Sequence, residues 1–216
     1  MISERSKLIL RKLCEVFVLP KQTLPKKNPF KILIATIISQ NTSSRNARNA
    51  FEKLSNRFKI TPKTLANASE SKIEECLKVA GLYRKKAKII KAVSRIVLEE
   101  HSGNLQQILS LPLEEARKTL QELPGVGSKT ADVVLLFASG RSTIPVDTHV
   151  NRVSKRLGLV QHEANYEGVR TSLQKLFEDS LAVHLLLISL GRKYCKARNP
   201  LCRQCPVNML CPSNKS

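Results

Sequence analysis

Four cysteines crowd the carboxyl-terminal end of the chain. Cys195, Cys202, Cys205 and Cys211 leave gaps of six, two and five residues. Four soft ligands that close together suit either tetrahedral zinc or an iron-sulfur cluster. Only Cys202 and Cys205 form the close pair that zinc ribbons use twice, and a larger 4Fe-4S cubane tolerates unequal gaps, so the cluster is favoured. Disulfides fit poorly with a strongly basic chain that shows no secretion signal. The loop between the first two ligands, Lys196-Ala197-Arg198-Asn199-Pro200-Leu201, is basic enough for Lys196 and Arg198 to press on phosphates. Cys14 and Cys76 fall in helical patterns and read as small core residues.

A second constellation is Leu123-Pro124-Gly125-Val126-Gly127-Ser128-Lys129, between two helical patterns. Glycines at 125 and 127 are expected to allow positive φ and to turn the N–H groups of Gly125, Val126 and Gly127 outward, beside the positive end of the helix that follows. That is an anion seat, and a duplex phosphate is its natural occupant in a basic protein. The plainer reading is a tight helix-helix turn. Lys129 sits in the first turn after the loop. Among other cations and near a helix amino terminus its ammonium form is disfavoured, which would supply a neutral amine for imine chemistry at a sugar carbon. A phosphate clamp is the alternative. Eighteen residues on, Val146-Asp147-Thr148-His149 opens another helix. Asp147 suits an N-cap, and a carboxylate held by helix amides stays ionised, able to stabilise positive charge or steer a proton. His149 reads as a packed helix residue.

The elements that position these residues follow a 3.6-residue period, with strand alternation essentially absent. Asn28-Pro29 and Thr61-Pro62 start helices as cap and first-turn proline. Ser71 with Glu74 resembles a capping box, with Gly81 closing that helix. Ala87, Ile90, Val93 and Val97 line a long helix ending near Gly103, and others are expected near 113–121, 128–139, 148–157, 165–178 and 180–191. The expectation is an all-α protein of about ten short helices.

Composition bounds the partners. The 216 residues carry 37 Lys and Arg against 17 Asp and Glu, a net charge of +20, with an ordinary 42% hydrophobic content. Such a surplus points to nucleic acid or an acidic membrane surface. No apolar run approaches the roughly 18 residues a spanning helix needs, so no membrane is expected. The amino terminus lacks a signal peptide's apolar core, which suggests an intracellular protein, cytoplasmic at the nucleoid if prokaryotic. Nine aromatics and no Trp argue against a single-strand stacking platform.

These residues, in this order, resemble the endonuclease III branch of the helix-hairpin-helix DNA glycosylases. The likeness runs from Pro29-Phe30 through Gly81-Leu82-Tyr83 with Lys86-Ala87, the Leu123-to-Gly127 hairpin with Lys129, the Val-Asp-Thr-His segment, and the cysteine tail. It implies a six-helix barrel domain over 23–141, and a cluster domain made from 1–22 with 142–216, separated by a cleft. It implies that the four cysteines hold a 4Fe-4S cluster and that the hairpin grips the DNA backbone. Lys129 then takes the place of the lysine that attacks C1′, Asp147 that of the essential aspartate, and Leu82 that of the residue wedged into the gap left by a flipped nucleotide. The helix-B turn, usually carrying Gln, reads Ser39-Gln40-Asn41-Thr42 and places Asn41 opposite the lesion. Ser44 and Gln121 replace common acids. The function implied is a monomeric glycosylase and abasic-site lyase acting on oxidised pyrimidines in double-stranded DNA. A uracil or thymine mismatch glycosylase, a non-catalytic DNA-binding module and a zinc-stabilised DNA binder are the alternatives. Adenine-mismatch enzymes fit less well, being expected to carry a catalytic Glu near Thr36.

Overall fold

The computed structural model describes residues 4–19 and 28–214. In chain order its helices are α1 (Glu4–Val16), α2 (Pro29–Ser39), α3 (Ser44–Arg57), α4 (Pro62–Asn67), α5 (Glu70–Leu77), α6 (Tyr83–Glu100), α7 (Gln106–Ser110), α8 (Leu113–Glu122), α9 (Ser128–Ser139), α10 (Thr148–Arg156), α11 (Tyr166–Leu176) and α12 (Ser180–Lys193). Short 3₁₀ turns cover Lys78–Ala80, Cys202–Gln204 and Asn208–Leu210. The described residues contain no strand, and none of their helices is long and apolar enough to cross a membrane. The all-α expectation holds, with more helices than expected. Five-residue α7 is too short for a period to register.

The chain divides into two compact units, Lys26–Arg141 and Met1–Pro25 with Ser142–Ser216. The expected join between 22 and 23 lies outside the described residues. In the first unit the apolar α2 is central, with Leu33, Ile34, Ile37 and Ile38 fully buried. Each such side chain contributes about 1.5–3 kcal/mol by leaving water. Local chemistry sets the helix starts. Asn28 accepts from the Lys31 amide at 3.1 Å, Ser43 from Asn46 at 3.2 Å, and Thr61 from Thr64 at 3.2 Å. Pro29 and Pro62 occupy first-turn positions, where a missing N–H costs nothing. One start differs from expectation: Ser69 is the N-cap of α5, and Ser71 lies within the first turn, its hydroxyl 2.8 Å from that of Ser69. Gly81 does have positive φ, 65°, but with ψ 163° it ends the 3₁₀ turn rather than capping α5.

In the second unit, Ile9 and Leu13 of α1 are buried in a core with Val150 and Val153 of α10 and Leu186 and Leu187 of α12. The α10–α12 approach depends on Gly191: a Cβ there would stand 2.9 Å from His149 Nδ1 and 3.1 Å from Val153 Cγ2. The lead-in to α10, Thr143 to Val146, is buried and non-helical. Its backbone is held from outside itself, by His184 Nδ1 on the Pro145 carbonyl at 3.0 Å and by the Val146 N–H on the Tyr166 hydroxyl at 3.3 Å.

Candidate active site

The hairpin joins α8 to α9. Gly125 has φ 72°, and a Cβ there would stand 2.9 Å from two carbons of Ile89, so both backbone and space demand glycine. Gly127 departs from the expectation of positive φ. It is extended (φ −92°, ψ 179°), and a Cβ there would meet nothing within 4 Å. The fold itself therefore has no need of glycine at 127. A bare backbone at that point keeps the approach to the first-turn N–H groups of α9 open to an anion. Val126 turns inward: its side chain is buried and its N–H donates to the Leu123 carbonyl at 3.1 Å. It closes the turn from inside instead of offering its amide to a ligand.

Several supporting side chains escaped the sequence reading as functional residues. Gln40, just past α2, donates from Nε2 to the Gly125 carbonyl at 3.0 Å and to Thr130 Oγ1 at 3.2 Å. Gln121 accepts from the Ser128 hydroxyl at 2.8 Å, bracing the hairpin's two arms. Beneath them Arg117 of α8 meets Asp132 of α9 in a two-point ion pair, Nε to Oδ1 at 2.7 Å and Nη2 to Oδ2 at 3.2 Å. Both residues are buried, and Glu114 adds a 3.0 Å contact to Nη1. Lys129, half-buried in the first turn of α9, thus stands on a helix pinned by charge as well as by apolar packing. The only sequence signal for this pair was a charge at a core-facing position of each helix.

Two further turns carry strained residues. Asn41 has φ 52°, and Leu82 sits in the left-handed region at φ 48°, ψ 28°. Non-glycine residues there cost on the order of 1–3 kcal/mol each and persist only where their surroundings hold them. Leu82 is 56% exposed, although an apolar side chain gains by burial, and Asn41 is exposed as well.

In the other unit Asp147 caps α10. Its Oδ1 accepts from the amides of His149 and Val150, both at 2.8 Å, while the described residues give Oδ2 no hydrogen bond. One oxygen is thus structural and the other is available for chemistry. His149 lies half-buried with Nδ1 3.1 Å from Arg152 Nη2, the packed role its sequence context suggests.

The tail brings all four cysteines around one cavity of about 390 Å³. All four thiols are unpaired and half-buried. Burial, then the proximity of the other cysteines, pushes the thiols of Cys205 and Cys211 up, so bare thiolates there require a compensating cation. Asn214, also lining the cavity, has a buried Oδ1 with no partner among the described residues. Among those residues no three His, Cys, Asp or Glu converge as a single metal ion requires. One zinc would draw four sulfurs to roughly 3.8 Å of one another, given Zn–S bonds of about 2.3 Å. Thiols arranged around a cavity fit a polynuclear group better. Three arginines hold this loop by its carbonyls: Arg5, which also bonds the Leu157 carbonyl at the end of α10, on Leu210 at 2.8 Å, Arg152 on Cys195 at 3.0 Å, and Arg156 on Lys196 at 2.7 Å and Ala197 at 3.2 Å. Lys196 and Arg198 themselves are exposed.

Comparison with known proteins adds three findings. The pattern described as HhH-GPD superfamily base excision DNA repair protein matches residues 34–179. Endonuclease III of Thermotoga maritima is 37% identical over 186 residues, 85% of this chain and 83% of that protein, and endonuclease III of Bacillus subtilis is 35% identical, covering 94% and 89%. Among solved structures, a non-covalent endonuclease III–DNA complex superposes with a TM-score of 0.83 at 32% identity, and a trapped endonuclease III–DNA covalent intermediate with 0.82 at 32%; each covers 100% of this chain and 98% of its own.

Proposed function

The chain belongs to the HhH-GPD superfamily of base excision DNA repair proteins, and to the endonuclease III family within it; from that premise we infer a bifunctional DNA glycosylase and abasic-site lyase in which Lys129 is the nucleophile. The observation that carries this reading is the position of Lys129. It stands one residue inside the helix that follows the hairpin, in a chain aligned end to end with an enzyme trapped covalently on DNA.

In the reaction so assigned, Lys129 Nζ bonds to C1′ of the damaged nucleotide as the glycosidic bond breaks, and the base leaves with that electron pair and takes up a proton. The Asp147 carboxylate, oriented by its two amide donors, stabilises positive charge developing on the sugar. Ring opening gives the Lys129 imine. Loss of a C2′ proton then breaks the C3′–O bond, the phosphate departs with the bond electrons, and water releases the lysine. The hairpin seats a backbone phosphate at Gly127, and Leu82 and Asn41 enter the space left in the duplex. Oxidised pyrimidines are the proposed substrates. Cys195, Cys202, Cys205 and Cys211 would hold a 4Fe-4S cluster, which supplies iron–thiolate bonds that shape the tail, so that Lys196 and Arg198 face the duplex.

Borohydride reduction in the presence of abasic duplex DNA tests the assignment. Wild type is expected to form a covalent adduct, and Lys129→Gln to form none, with strand cleavage reduced about 10³-fold or more. An adduct of undiminished yield from a folded Lys129→Gln protein overturns it. Duplexes carrying thymine glycol, uracil or a G:T mismatch then rank the substrates, and preference for either of the last two refutes the oxidised-pyrimidine assignment.

A further inference from the structure

Lys86 stands apart among the 37 cations of the chain. It is 3% exposed, on the inward face of α6, and has no acidic partner in the hydrogen bonds of its ammonium group. Nζ donates to the Ile38 carbonyl in the last turn of α2 at 2.8 Å and to the Ala80 carbonyl at the end of the 3₁₀ turn at 3.0 Å. Burial alone holds its pKa below that of an ordinary lysine. A cation kept in so dry a place needs a reason, since an apolar side chain would fill the same space without the desolvation penalty.

The two carbonyls supply one. Ile38 lies three residues before Asn41, and Ala80 two before Leu82. Both later residues have positive φ and exposed side chains. Nearby, Lys91 of α6 makes a single analogous bond to the Ala68 carbonyl at 2.8 Å, but it serves a helix end with no strained residue beside it. Lys86 ties together the two turns that carry the strained, exposed Asn41 and Leu82; the unit's third strained residue, Ser102, lies on neither of its partners' turns. A carbonyl at a helix end carries partial negative charge, so an ammonium shared between two such ends holds each against the other.

We infer that Lys86 is a positioning residue for entry into the duplex: its ammonium fastens the end of α2 to the 78–80 turn and so sets the spacing between Asn41 and Leu82. This rests on the reading of those two residues as the groups that enter DNA. Lys86 touches no reacting atom. It acts through the backbone of the turns, and its effect belongs to duplex substrates. A single-stranded abasic site offers no gap to plug and needs only the lysine chemistry.

The test pairs Lys86→Met with Leu82→Ala. Each variant, and the double variant, is measured for excision on lesion duplex and for cleavage of a single-stranded abasic oligonucleotide, with 2-aminopurine beside the lesion reporting base extrusion. Lys86→Met is expected to lower the ratio of duplex excision to single-strand cleavage by roughly tenfold to a hundredfold, with a smaller 2-aminopurine signal. Adding Leu82→Ala should lower the ratio little further, because both changes remove the same insertion. If Lys86→Met proves too unstable to fold, Lys86→Gln, whose amide still donates, is measured in its place and should show the same selective loss in milder form. A folded Lys86 variant with an undiminished ratio, or losses that multiply with those of Leu82→Ala, overturns the proposal while leaving the insertion reading intact. A Leu82→Ala protein with normal extrusion and excision overturns the insertion reading itself, and this proposal with it.

Discussion

The hairpin and the cysteine tail are both candidate DNA-facing loops, yet they are held in opposite ways. The hairpin rests on an apolar core and on the buried Arg117–Asp132 pair, and its turn carries the buried Val126 as an internal plug. The tail has one fully buried apolar side chain, Val207; the rest is two 3₁₀ turns, arginine-to-carbonyl bonds and four thiols around a cavity. A loop built on packing is preformed by the chain itself. One built around a cavity depends on what fills it. The chemistry assigned to Lys129 therefore stands in the self-sufficient region, and the tail is the region that the proposed cluster would have to hold.

The sharpest way to break this contrast is Cys205→Ser. Loss of the visible iron–thiolate absorbance is expected, along with rapid proteolytic cutting between 195 and 211, while the 26–141 region stays protected. A tail equally protected without the absorbance would mean that the arginine bonds suffice. Next in size is Asp132→Ala, which takes the buried carboxylate from the Arg117 cation and leaves it the exposed Glu114, and is expected to cost about 3 kcal/mol in denaturant unfolding. A cost under ~1 kcal/mol would show the hairpin resting on apolar contacts alone. Asp147→Asn keeps a competent cap, so its stability should move by at most a few tenths of a kcal/mol. Excision should nevertheless fall by about 10² or more, because the amide carries no charge. Normal turnover would confine Asp147 to capping. The smallest effect is expected for Arg198→Ala: the salt dependence of duplex affinity should flatten by about one unit of slope. An unchanged slope leaves the tail's basic loop as solvated surface.

Much of the site was legible because it depends on local chemistry. Asp147 is followed by a helix whose first amides need an acceptor, and Asn28, Thr61 and the two prolines announced helix starts for the same reason. The Ser71–Glu74 pattern misled because Ser69, two residues earlier, takes the N-cap position without a side-chain capping bond, and spacing alone cannot rank the two. Gly127 was expected to be strained like Gly125; the two look alike as letters, and only the path of the chain into α9 separates them. Gln40, Lys86 and the Arg117–Asp132 pair were not legible as supports. Apart from Ala80, six residues before Lys86, their partners lie 15 to 90 residues away, so no periodicity connects them.

The order of residues along the chain thus determined the helical class, the basic character suited to a polyanion, the lysine after the hairpin and the four clustered thiols, because periodicity, charge and spacing are properties of a string. Tertiary structure alone decided that Val126 points inward, that only one oxygen of Asp147 is taken up by capping, that the thiols ring a cavity, and that a buried lysine spans two strained turns. Each of these depends on which distant carbonyl or side chain comes within about 3 Å, the reach of a hydrogen bond, and that is fixed by core packing and not by sequence neighbours.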